Sequence, residues 1–138
     1  MAGLLDEFTA ITHEFNREMI DYAVCGGWAV TIHGLARATL DIDLLILTED
    51  LEKAIEEAKK IGFNIEGLPL NFDGGKTQIR RISKIGKASK ELITLDLILV
   101  GESYEEAWDG RRKVTWNNGD YKVVSVKGLI QMKEIAGR

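Results

Sequence analysis

The run Leu44-Leu45-Ile46-Leu47 leaves this chain few folds to choose from. In an extended segment, consecutive residues point to opposite faces, so an unbroken apolar run needs cover on both sides of its sheet. The same strand, read over residues 40–47, begins with Asp41 and Asp43. Two residues apart, these carboxylates leave one face of the strand, ~6.6 Å apart along it. A second extended segment, residues 91–100, is the most apolar stretch of the chain and carries Asp96 inside Leu95-Asp96-Leu97. A doubly covered sheet with acids set into its strands is the frame for everything else.

The remaining elements fit that frame. Leu4, Phe8, Ile11, Phe15 and Met19 recur at helical spacing and predict an amphipathic helix from residue 4 to about residue 21. Residues 22–25 form a short apolar strand ended by Gly26-Gly27, and residues 28–33 a short helix stopped by Gly34. Thr48 is placed to cap a helix with Leu51, Ile55, Ala58 and Ile61 on one side and Gly62 at its end. Residues 62–75 read as irregular, residues 77–85 as a strand and residues 103–108 as a turn or two of helix. Segments 113–116 and 121–124 flank Asn117-Asn118-Gly119-Asp120, whose Asn-Gly pair signals a hairpin. A last helix runs from about residue 126 to residue 136. The order predicts an α+β or α/β fold with a mixed central sheet and helices packed on it.

A chain of 138 residues has the length of one domain, 1–138. The net charge of −4 argues against a broad nucleic-acid-binding surface, although Arg80, Arg81, Lys84, Lys87 and Lys90 form a local basic cluster. A single cysteine, Cys25, excludes an internal disulfide and fits a reducing compartment; its apolar neighbours make it a buried thiol. No apolar run approaches the roughly 20 residues that span a bilayer, and the acidic, amphipathic start is not a signal peptide. The expected setting is the cytoplasm.

The acids carry the chemistry. An aspartate within apolar strands is costly unless it is paired, hydrogen-bonded or bound to a cation. With no lysine or arginine equally placed, Asp41, Asp43 and Asp96 fit a hard, oxygen-rich site for Mg²⁺ or Mn²⁺. The alternative is that each points to solvent or accepts bonds from a nearby turn. An EF-hand is excluded, because its further ligands and central glycine do not follow Asp43. Upstream, a strand running into Gly26-Gly27 and then a helix presents backbone N–H groups to an anion. Alone that is only a tight turn; before an Asp-x-Asp strand it becomes a phosphate cradle.

Gly26-Gly27-Trp28-Ala29-Val30-Thr31-Ile32-His33-Gly34, then Arg37-Ala38-Thr39-Leu40-Asp41-Ile42-Asp43-Leu44, then Leu95-Asp96-Leu97, resembles the pattern of the polymerase-beta-type nucleotidyltransferase superfamily. The nearer resemblance is to its abortive-infection toxin branch and their bacterial relatives, which share this run and a late helix like Val126-Lys127-Gly128-Leu129-Ile130-Gln131-Met132-Lys133. The resemblance covers about residues 22–138. It implies an enzyme that moves a nucleotide from an NTP to an acceptor hydroxyl on tRNA, protein or a small molecule. Asp41 and Asp43 would bind two metals, and Asp96 would complete the site as the acceptor-side base. Gly26 and Gly27 would cradle the β- and γ-phosphates, without the hydroxyl contact that many relatives make through a serine at the Gly27 position.

Arg37 stands at the strand mouth, as a phosphate contact or a surface arginine. Thr39 shares the face of Asp41 and is placed to orient it. His33 reads as a helix C-cap. Lys133 shares a helix side with Val126, Leu129 and Ile130 and so points inward as a nucleotide contact, or else snorkels to the surface. Relatives continue beyond the equivalent of Gly137-Arg138 with helical segments that often hold the acceptor. The expectation is therefore a minimal enzyme, or a nucleotide-binding module that depends on a small helical partner in a toxin–antitoxin-like pair. If Asp96 is a metal-bound base close to two like charges, Asp96→Asn is expected to leave the metal-free melting temperature unchanged or raise it; if it is a structural acid accepting backbone or arginine hydrogen bonds, the same change is expected to destabilise by about 1–3 kcal/mol.

Overall fold

A computed structural model describes residues 2–35, 41–87 and 90–136. Helix α1 (Ala2–Arg17) buries Phe8, Ile11 and Phe15, the apolar stripe expected from their spacing. Met19 is not part of that stripe: it takes a left-handed φ of 59° and is 91% exposed. Its N–H and that of Ile20 bond back to the carbonyls of Asn16 and Phe15, so the chain closes the helix there and sends Ile20 into the core instead.

Strand β1 (Ala23–Cys25) leads into α2 (Gly26–Ile32), then β2 (Asp41–Ile46) and α3 (Leu51–Lys60). Thr48 does not cap α3; it opens a 3-10 turn, Thr48–Asp50, and no side chain caps the helix that follows. The stretch read as irregular contains two short strands, β3 (Ile65–Glu66) and β4 (Leu70–Phe72). Both are held by backbone pairing to β5 (Thr77–Ile85) with mostly exposed side chains, so no hydrophobic period announces them. Then come β6 (Leu92–Leu99), α4 (Glu105–Asp109), the hairpin β7 (Arg112–Trp116) and β8 (Gly119–Val123), and α5 (Val126–Ala136).

The hairpin turns one residue earlier than the Asn-Gly signal implied. Asn117 and Asn118 take φ of 49° and 65°, and Gly119 already pairs with Trp116. A Cβ on Gly119 would stand 3.0 Å from the Tyr121 hydroxyl, which explains the glycine.

The strands form an 8-stranded mixed sheet in the order β3-β5-β6-β2-β1-β8-β7, with β4 also on β5. The pairs β2/β6 and β1/β8 are parallel and the rest antiparallel. The fold is thus the expected α+β arrangement. Helices α1, α2 and α3 cover one face, where Leu44 and Ile46 join Phe8, Phe15, Trp28, Ala58 and Leu97. Leu45 enters a second cluster on the other face, with Ala23, Cys25, Tyr104, Trp108 and the inner side of α5. The strand core is buried on both sides, as its composition requires. Among the described residues, no helix is long and apolar enough to cross a membrane.

Phe8 joins the first layer together. Its ring stacks on Trp28 at 4.3 Å and an angle of 3°, and meets Tyr121 at 5.1 Å and Trp116 edge-on at 6.5 Å. One side chain therefore links α1 to α2 and to the hairpin. Phe8→Ala is expected to cost about 3–5 kcal/mol in denaturant unfolding, the range for a large buried aromatic removed from a packed site.

Candidate active site

Strand register puts four side chains in a row across one face of the sheet. Arg81 on β5 pairs with Asp96 on β6, Asp96 with Asp43 on β2, and Asp43 with Cys25 at the end of β1. Residues paired in register share a face. The next row holds Ser83, Thr94 and Asp41; the row on the other side is apolar, with Ile79, Ile98, Leu45 and Ala23. Asp41, Asp43 and Asp96 therefore lie on one surface. They grade from exposed Asp41 through half-buried Asp43 to Asp96, which is 5% exposed.

Asp96 has a cation that the sequence reading missed. Arg81 donates from Nε to Oδ1 at 2.8 Å and from Nη2 to Oδ2 at 3.0 Å, a two-pronged pair. Asp96 first, then the charges of Asp41 and Asp43, hold the Arg81 guanidinium above its ordinary pKa. Along the sequence Arg81 belongs to a basic cluster, but strand alternation dissolves that cluster. Arg80 and Lys84 take the opposite face from Arg81, and Lys84 bonds Glu7 at 2.9 Å and the Ile61 carbonyl at 2.7 Å. The signal that could have found the pair was the match of two strands, 77–85 and 91–100, joined antiparallel with Arg81 opposite Asp96.

The three aspartates share a face, yet their oxygens do not all approach one another. Among the described residues, the acids whose oxygens do lie within 4.8 Å of one another are Glu14, Glu18 and Glu57. These sit between α1 and α3, in the layer on the opposite side of the sheet. Arg17 bonds Glu14 at 2.7 Å and Glu18 at 3.1 Å, and Lys60 bonds Glu57 at 2.9 Å. The Arg17 hydrogen bond is the chief cause holding Glu14 below the usual carboxylate range. Each of these ion pairs lies within one helix or at its end, and a hydrogen bond between Glu14 and Glu57 joins the two helices.

At the end of β1 the backbone turns through Gly26, φ 62°, into α2. A Cβ there would land on the Asp43 carboxylate, so only glycine lets the two meet. Cys25 is fully buried; burial, then the neighbouring Asp43 charge, push its thiol well above its ordinary pKa, the opposite of an activated nucleophile. His33 is the C-cap of α2, and its Nε2 donates to the Val124 carbonyl at 2.7 Å, pinning the helix end to the strand β8 exit. Arg37 and Thr39 lie outside the described residues.

Gly26, Gly27 and Asp43 form one end of a cleft of about 490 Å³ between α2, β5 and α5. Its walls are mainly apolar, with Ile79, Ile98, Leu129 and Met132 among them. Thr77 Oγ1 and the Tyr104 hydroxyl, 2.5 Å apart and both buried, supply polar atoms in the same wall. Lys133 also lines it, on the side of α5 that it shares with Val126, Leu129 and Ile130, while α5 packs on the core through Leu129, Met132 and Ile135. Lys133 stands on the open rim.

No protein-family model and no curated protein matches the chain. Solved structures do. TM1012 of Thermotoga maritima, which carries a nucleotidyltransferase name, superposes with a TM-score of 0.71 over 97% of this chain and 84% of its own, at 14% identity. The lincosamide antibiotic adenylyltransferase LnuA, bound to lincomycin, gives 0.61 over 91% and 82%, at 14% identity. ANT(2")-Ia, in complex with adenylyl-2"-tobramycin, gives 0.59 over 92% and 70%, at 14% identity. The chain has the nucleotidyltransferase fold. Within that fold, Asp43 and the Gly26 turn open onto the same cleft.

The site yields two expected outcomes. Gly26→Ala should destabilise the fold by at least the ~1–2 kcal/mol of a left-handed alanine and should displace the Asp43 side chain, measurable by denaturant unfolding and a structure of the variant. For Asp96→Asn, the Arg81 pair selects the outcome expected of an acid that accepts arginine hydrogen bonds. The neutral side chain loses a charge-assisted pair, so metal-free stability should fall by about 1–3 kcal/mol, toward the lower end because solvent screens the half-exposed guanidinium.

Proposed function

We propose that the chain is a metal-dependent nucleotidyltransferase that transfers a nucleoside monophosphate from an NTP to a hydroxyl acceptor. The observation that carries this is the alignment of Asp43 and Asp96 on neighbouring parallel strands beside a left-handed Gly26 turn where a Cβ would meet the Asp43 carboxylate, in a nucleotidyltransferase fold. The donor set fits Mg²⁺ or Mn²⁺: all oxygen, all carboxylate, graded from solvent to interior. Asp41 and Asp43 would hold the ion, with Asp96 completing the site. When bound, such an ion offsets phosphate charge and makes a nearby hydroxyl more acidic.

The residues of the chain divide the remaining work. Backbone N–H groups at Gly26 and Gly27 bind phosphate oxygens, with Lys133 on the cleft rim and Arg37 as further cations and Thr39 orienting Asp41. Asp96 accepts the proton of the acceptor hydroxyl. That oxygen bonds to the α-phosphorus as the bond to the pyrophosphate oxygen breaks, and pyrophosphate leaves. The apolar cleft walls exclude water from the reacting phosphate.

Two of the similar structures hold an antibiotic or its adenylylated product. Their ligands support a small hydroxyl-bearing acceptor here. The net charge of −4 and the division of the basic residues between two sheet faces point away from RNA. A second reading, the toxin–antitoxin-like one, has its own observation. Leu35, Val126 and Ile130 line the cleft rim and are 69%, 55% and 56% exposed, an apolar edge that a helical partner would cover. In that reading nucleotide binds but transfer waits for the partner.

Calorimetry with Mn²⁺ tests the site: wild type should bind, and the double variant Asp41→Asn, Asp43→Asn should not. Metal binding that survives both changes would falsify the assignment. Incubation with each labelled NTP, Mg²⁺ and cell lysate should label a small molecule; label confined to tRNA or protein would redirect the acceptor.

A further inference from the structure

Within the cross-strand row, Arg81 is neither a proposed metal ligand nor part of the cleft wall. Its position follows from strand order. With β5, β6 and β2 adjacent in that sequence, Arg81 reaches Asp96 from one side while Asp41 and Asp43 stand on the other. The guanidinium gives one N–H to each Asp96 oxygen, at 2.8 and 3.0 Å. A carboxylate offers about four lone-pair sites, so each oxygen keeps one that Arg81 does not use. Meanwhile the Arg81 side chain is 45% exposed and Asp96 only 8%, so the arginine can bring its charge from solvent to an acid that is itself enclosed.

We propose that Arg81 is the positioning residue of the carboxylate site: its fork fixes the plane of Asp96 and leaves the free lone pairs on the side of Asp41 and Asp43, ready for a divalent cation. This rests on the reading of those three acids as a metal site. A lysine could neutralise Asp96 but could not set its plane, because an ammonium is a point charge and a guanidinium a rigid fork. Residues that orient metal ligands by hydrogen bonding have a known signature, in that their loss weakens metal binding while the ligands remain.

The competing role is that of a plain counter-ion, and it predicts the opposite sign. A guanidinium that merely neutralises the acids repels an incoming cation, so its removal would tighten metal binding. A purely structural arginine would lower the melting temperature and leave metal affinity alone.

The test is Mn²⁺ affinity of the full chain, by calorimetry and by the electron paramagnetic resonance of bound Mn²⁺. Arg81→Met is expected to weaken binding about 10- to 100-fold, and Arg81→Lys to recover only part of it. In an Asp96→Asn background, Arg81→Met should change affinity by less than about twofold, because Arg81 acts only through Asp96. That double variant also leaves no unpaired buried charge, and Arg81→Lys keeps the charge, so the comparison survives if Arg81→Met alone folds poorly. Unchanged or tighter Mn²⁺ binding in Arg81→Met overturns the positioning role while leaving the metal site standing, as does full recovery by lysine. Failure of wild type to bind Mn²⁺ overturns the metal site and the positioning role together.

Discussion

A carboxylate inside an apolar sheet needs a cation, and the arrangement of this face follows from how Asp96 meets that need. Buried to 5% exposure between Leu95 and Leu97, it is tolerable only because Arg81 reaches both of its oxygens. That reach requires β5 to lie against β6 in the register that sets Arg81 opposite Asp96. The same β6 register, continued to β2, sets Asp96 opposite Asp43. A slip of one residue in either pairing would send an acid into the aromatic layer and an isoleucine or leucine onto the polar face. Charge compensation and hydrophobic alternation thus select one sheet.

The second support is local and steric. Asp43 keeps its place because Gly26 has no side chain, and Gly26 keeps its left-handed φ because α2 begins immediately beyond it. Helix α2 is only seven residues long and could not hold itself in water. It is held by Trp28 stacked on Phe8 near its start and by His33 bonded to Val124 at its end. Polar geometry on one face of the sheet is thereby anchored by aromatic packing on the other.

These supports differ in how far they could be read from the chain. The doubly buried strand, the mixed α+β sheet, the glycine turn and the shared face of Asp41 and Asp43 all follow from local period and composition, because each depends on residues a few positions apart. Met19, Thr48 and the hairpin turn were misplaced by small amounts, since a left-handed closure or a 3-10 start depends on backbone bonds that many sequences can make. Strands β3 and β4 escaped because exposed edge strands carry no apolar alternation. Arg81 escaped for another reason. Its partner lies 15 residues away, and only the β5/β6 register says which of several nearby cations turns toward the acid. Charge clustering along a strand says little about charge clustering in space, because alternate residues part company at every step.

The electrostatics of the row also order the events that the proposed reaction would require. Among the described residues, three carboxylates stand against the Arg81 guanidinium on this face, and Lys133 is exposed at the cleft rim. A bare triphosphate approaching Asp43 would meet net negative charge at short range, where the enclosing walls strengthen the repulsion. The backbone N–H groups at Gly26 and Gly27 offer partial charges only, too small to reverse that sign. A divalent cation changes it at once, and an NTP already complexed to one arrives with most of its charge offset. Arg81 does not remove this requirement, because its charge is spent on Asp96 from the far side. In the proposed reaction, nucleotide without metal would be a poor ligand, and the same acids that make it so are those that would hold the metal in place.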